Sequence, residues 1–274
     1  MINYFGTCRI RTPLTMLHSG NIIRLQNRWW GHLHSTKDML QVLDYYEKLI
    51  AIPDNTEKLK LMNLSLLTLP TWKKLNPHQL PFDQVDTFFI ELSSMKAYEL
   101  NTPASDHPQS LVIDRLPAYF SAISKDAATW VKQLRNQTPD RLIRTGDELA
   151  DQLIQHLTLR VMPPSEIKAD LLLITQRLKA LGVAKICFIN TFNVPFNGKK
   201  LPGREELSSI TKSFVAQLRQ TEEVLPADNI HYFDPSAFIE EHQQHALTDA
   251  HHYHPNFLPL AAYWLNNNYQ STLS

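Results

Sequence analysis

Short β-forming runs alternate with stretches of helical period along most of this chain, and few architectures accommodate that pattern. Val85–Leu92 and Ala184–Phe192 are nearly continuous in apolar residues, as expected of strands covered on both faces. A shorter run lies at Ile230–Phe233, and another opens the chain at Ile2–Ile10. Between them, Met39, Leu40, Leu43, Tyr46 and Leu49 recur at helical spacing after Ser35 or Thr36, either of which would serve as N-cap. Helices are also expected over Glu166–Leu181, Glu205–Leu218, from Pro235, and over Asn256–Tyr269. Alternating β and α units predict a mostly parallel sheet wrapped by helices on both sides. Asn21–Leu33 is a less regular strand candidate, and Leu59–Leu69 an ambiguous one. From about residue 101 to 165 the pattern turns to helical period at Ala127–Leu134 and Leu142–Leu157, which predicts a helical insertion. A chain of 274 residues is then expected to form one domain, 1–274, carrying that insertion.

Bulk chemistry narrows the function classes. Lys plus Arg and Asp plus Glu are equal at 27 each, so no broad cationic footprint for nucleic acid is present and small-molecule partners are expected. Only Cys8 and Cys187 occur, too few for a disulfide framework. The first residues run directly into an apolar stretch without a basic leader, and no stretch reaches the length of a membrane span, so a cytoplasmic protein without a membrane span is expected. None of the 7 glycines forms a dinucleotide fingerprint or a phosphate loop.

In an open parallel sheet, ligands bind beyond the carboxyl ends of the strands. The residues there are Cys8 after the first strand, His34-Ser35 after the second, Ser93-Ser94 after the third, and Asn190 to Asn193 after the fourth. Near the other end, Asp249 and His252 stand three residues apart, a spacing that lets a carboxylate and an imidazole meet as orienting group and base. A strand-end cysteine taken alone is more often a small buried residue; the distant Asp249/His252 pair is what makes Cys8 a candidate nucleophile. Cys187, inside an apolar strand, reads as core.

The order of Gly6-Thr7-Cys8 near the start and Asp249-Ala250-His251-His252 near the end resembles the SGNH/GDSL hydrolase superfamily, with cysteine where most members carry serine. It is similar in this to the GSCFA and WcbI-like branches of polysaccharide biosynthesis. The resemblance implies a flavodoxin-like three-layer α/β/α fold around a mostly parallel five-stranded sheet. It implies acyl transfer, or ester or thioester hydrolysis, by a Cys8–His252–Asp249 triad. The acyl donor would be a coenzyme A or carrier thioester, the acceptor a sugar or specialised metabolite, and no tightly bound cofactor is implied. His34, Ser35, Ser93 and Ser94, with Asn193 and Arg9, are the candidate oxyanion and substrate contacts. Superfamily members supply oxyanion donors from a glycine after the second strand and an asparagine after the third, and this chain has neither at those places.

Arg9 and Arg11 could hold an anionic donor, and an imidazolium beside Cys8 would lower its pKa. Arg204 reads as a solvated residue at a helix start. Two other readings remain open at this level. His242, His245, His251, His252 and His254 have spacings at which imidazoles can share a metal ion, and a site lacking oxyanion donors could belong to a non-catalytic binding module.

Overall fold

The computed structural model describes residues 1–26, 30–47, 84–101, 109–111 and 116–273. Four strands, β1 (Ile2–Phe5), β2 (Thr87–Glu91), β6 (Lys185–Ile189) and β7 (Ile230–Phe233), form one sheet in the order β1-β2-β6-β7, parallel at every pair. Every residue of β1 and β2 is buried, as the unbroken apolar runs predict. Tyr4, Phe89 and Cys187 face helix α1 (Cys8–Ser19) and the closing helix α8 (Leu258–Gln270). Phe5, Phe88, Ile90 and Phe188 face α2 (Thr36–Tyr46), α6 (Pro164–Ala180) and α7 (Arg204–Thr221). The sheet is therefore the middle of three layers.

Two strand expectations need correction. The strand expected over Ile2–Ile10 stops at Phe5, because Gly6 takes φ +150° and turns the chain, so that Cys8, Arg9 and Ile10 open a helix. A side chain at Gly6 would also place its Cβ 2.8 Å from Glu91 Cβ and from Ile10 Cγ2. Among the described residues of Asn21–Leu33, the expected strand shrinks to a single parallel bridge, Ile2 to Leu25, beside β1. Ile2 donates to the Arg24 carbonyl and Gln26 to the Ile2 carbonyl, but the next acceptor on that edge, the Tyr4 carbonyl, is taken by the Trp30 indole N–H at 3.1 Å. A side-chain donor replaces the ladder there. Among the described residues the sheet thus has four strands and a bridge where five strands were expected, and Leu59–Leu69 lies outside the described residues.

The expected helical insertion is mixed. It contains α3 (Leu116–Ile123), α4 (Lys125–Arg135) and α5 (Glu148–His156), but also a second, antiparallel sheet of β3 (Lys96–Leu100), β4 (Gln109–Ser110) and β5 (Leu157–Val161), ordered β4-β3-β5. β3 leaves directly from the carboxyl end of β2. Arg160 on β5 pairs with Glu99 of β3 and with Glu166 of α6, tying this sheet to that helix, while Phe120, Trp130 and Leu153 join the core beneath α2 and α6. The chain runs from β1 out to the Leu25 bridge on one side and then to β2 on the other, so the crevice between β1 and β2 is the topological switch point where open α/β sheets bind ligands.

Candidate active site

The Gly6-Thr7-Cys8 turn is fixed from below by β2. Glu91, the last residue of β2 and 1% exposed, accepts from the Thr7 amide at 2.9 Å and the Thr7 hydroxyl at 2.8 Å through Oε2, and from Arg9 Nε through Oε1. Burial pushes its carboxyl upward, but the Arg9 guanidinium and the Thr7 donors outweigh this and hold it below the usual range. The Thr7 hydroxyl, spent on Glu91, does not cap α1. First-turn amides of α1 are therefore left without a side-chain cap beside the Cys8 thiol.

The second half of the site comes from the loop before the closing helix. A backbone bridge between Leu247 and Tyr253 pinches its base, and Tyr253 packs edge-on against Phe192 at 4.6 Å. Inside the loop, Asp249 Oδ1 accepts the amides of His251 at 2.6 Å and His252 at 2.9 Å. The same carboxylate meets His252 Nδ1 at 2.9 and 3.0 Å. A carboxylate only accepts, so Nδ1 is a donor, and in the neutral ring Nε2 is the nitrogen with the lone pair. Burial works against the Asp249 charge, yet its bonds to His252 and to the loop amides hold its carboxyl below the usual range.

Cys8 and His252 line one cavity of about 450 Å³. Its wall includes Arg9, His34, Ser93 and Ser94 from the expected contacts, together with His32, Asp38, Lys96, Arg204 and His251. Among the described residues no hydrogen bond joins the thiol to the His252 ring.

The model of the TviD N-terminal domain family matches residues 1–267. The chain belongs to that family. The TviD N-terminal domain family is related to Vi polysaccharide biosynthesis. No curated protein and no solved structure matches the chain.

Several residue expectations change within this TviD N-terminal domain. Ser35 does not line the cavity: it is the N-cap of α2 in a capping box with Asp38, its amide donating to Asp38 Oδ2 at 3.0 Å. Asn193 also lies off the cavity wall. The Ser93 and Ser94 amides both donate to the His34 carbonyl, at 3.0 and 2.9 Å, and are thereby spent. Arg9 is buried against Glu91 with its guanidinium over the Phe192 ring, and Arg11 is exposed away from the cavity. Among the described residues no group of three His, Cys, Asp or Glu side chains is arranged to hold a metal ion; His242 Nδ1 bonds the Phe238 carbonyl, and His254 Nδ1 accepts from the Asn256 amide. Nor is any described helix long and apolar enough to cross a membrane.

Arg204 is the main residue that reading the sequence missed. It is 6% exposed, donates to the Thr191 hydroxyl and to the Phe192 carbonyl at 3.2 Å, and burial together with the nearby Arg9 lowers its pKa to about 10. The available signal was its place as first residue of a helix, where the macrodipole disfavours a cation.

The thiol environment also departs from expectation. Burial raises the Cys8 pKa above 9.0, and Glu91 and Asp249 add to this against the lowering by Arg9. Cys187, sealed in β6, is pushed up to about 12. The surroundings of Cys8 thus favour its protonated form. Alkylation by iodoacetamide, followed site by site by mass spectrometry, is expected to modify Cys8 far faster than Cys187 and to keep accelerating as pH rises past 9.0. An inflection near pH 7 would mean a stabilised thiolate.

Proposed function

We propose that this TviD N-terminal domain is an acyltransferase of polysaccharide biosynthesis with Cys8 as nucleophile, His252 as general base and Asp249 as the group that orients it. The observation carrying the proposal is that the Cys8 thiol, at an uncapped helix N-terminus, and the Asp249-held imidazole open onto one cavity at the switch point of the parallel sheet. The order of Leu25 bridge, β1, β2, β6 and β7, with the nucleophile after the first strand and Asp-x-x-His before the last helix, supports an SGNH/GDSL-type reading of the fold.

The chemistry follows from the tautomer. His252 Nε2 takes the thiol proton as sulfur attacks the acyl carbonyl, and Asp249 stabilises the imidazolium that forms. The donor's leaving group departs with that proton. A saccharide hydroxyl then attacks the thioester, giving its proton to Nε2, and Cys8 Sγ leaves and is reprotonated from the ring. An acyl-CoA or carrier thioester fits as donor, since exchange of one thioester for another is nearly balanced in energy.

Replacing His252 by alanine is expected to lower acyl transfer about 10²–10⁴-fold, with the far-ultraviolet circular dichroism unchanged because the ring is exposed. Transfer at the wild-type rate in that variant would remove the base assignment.

A further inference from the structure

Adjacent histidines on one loop carry opposite tautomers. His252 has its proton on Nδ1, facing Asp249. His251 Nδ1 instead stands 3.1 Å from Nη2 of Arg204. A guanidinium has no lone pair to offer, so this Nδ1 accepts and the ring's proton sits on Nε2. Arg204 is held in place by Thr191 and Phe192, and both it and His251 line the cavity that holds Cys8. Burial lowers the pKa of His251, and Arg204 and Arg9 press it further down against the pull of Asp249, so the ring stays a neutral N–H donor.

Acyl transfer through sulfur needs such donors where negative charge develops on the carbonyl oxygen. Most backbone donors around the cavity are committed: Ser93 and Ser94 to the His34 carbonyl, and His34 and Ser35 to Asp38. The first-turn amides of α1 remain, on the nucleophile's own side. Side chains on the cavity wall are the remaining source of a second donor on the opposite side.

We propose that His251 supplies it through Nε2–H, and that Arg204 is the positioning residue that fixes the required tautomer. This rests on Cys8 being the nucleophile. As the Cys8 S–C bond forms, the carbonyl π pair moves onto oxygen, and the thiol proton goes to His252. His251 Nε2–H and an α1 amide donate to that oxyanion without transferring a proton. When the pair returns to carbon, the bond to the leaving group breaks, and the leaving group takes the proton from His252.

Two probes of Cys8 on the full chain separate this role from others. p-Nitrophenyl acetate acylates through a tetrahedral oxyanion, whereas iodoacetamide alkylates by displacing iodide from a saturated carbon and forms none. His251→Ala is expected to slow acylation of Cys8 about 10²–10³-fold while leaving alkylation within about twofold. The loop survives the change, since Asp249 receives the backbone amide of residue 251. His251→Gln, which keeps an N–H donor, is expected to regain part of the loss, and Arg204→Met to reproduce part of it. Acylation at the wild-type rate in His251→Ala would overturn the inference, as would an equal fall in both reactions, which would put His251 to work on the thiol instead. Failure of the underlying reading looks different: Cys8→Ala would take up acetyl as fast as the wild type, removing nucleophile and inference together.

Discussion

Replacing Glu91 by alanine is expected to lower the unfolding free energy by about 3–5 kcal/mol, the usual cost of removing one partner of a buried ion pair. The guanidinium of Arg9, a residue 8% exposed, would lose its counter-ion. The Thr7 amide and hydroxyl would lose their common acceptor in the same change. A shift in the urea midpoint reports the loss. Glu91→Gln, which keeps the shape and an acceptor but not the charge, is expected to fall between the two. The same group predicts a pH dependence. Its folded-state pKa lies below 4.5, so its contribution is complete above that value and is lost as pH falls through the folded-state pKa. In the Glu91→Ala protein this part of the acid sensitivity should be absent.

The role of Glu91 shows where sequence reasoning reached its limit. Val85–Leu92 is legible as a buried strand because apolar and β-forming residues dominate the run, but nothing local says that the Glu91 carboxylate, rather than that of Asp86, folds under a turn 84 residues away. The strand Lys185–Ile189, within the apolar run Ala184–Phe192, was legible for the same reason, and Ile230–Phe233 as a short run of β-formers with buried ends. β5 was not. Leu157–Val161 alternates apolar and polar residues but is short, follows α5 without a turn signal and is only partly buried, and its strand character is fixed by pairing with β3, across a stretch of about 60 residues. In the site, Cys8, Asp249 and His252 could be named because nucleophile, carboxylate and imidazole types stood at element ends. Their common cavity could not be inferred from spacing, and neither could the burial of Arg204; Ser35 was legible as an N-cap, but not its resulting absence from the cavity wall.

Cys8→Ala is expected to abolish acyl transfer by at least about 10³-fold, because the covalent route disappears and only binding and oxyanion donors remain. Stability should change little. The side chain is half-buried at a cavity wall rather than packed in the core, its backbone amide stays in the first turn of α1, and alanine is a good helix former. An activity loss with an unchanged urea midpoint therefore separates chemistry from folding. Glu91→Ala should show the reverse order of effects, with stability falling first.

The most direct test is intact and peptide mass spectrometry of the full chain mixed briefly with an acyl thioester such as acetyl-CoA, with and without a saccharide acceptor. One acetyl group on Cys8, none on Cys187, and loss of that group when acceptor is added is the expected result. Continued transfer to the acceptor by the Cys8→Ala protein, with no adduct on Cys8 in the wild type, would contradict it.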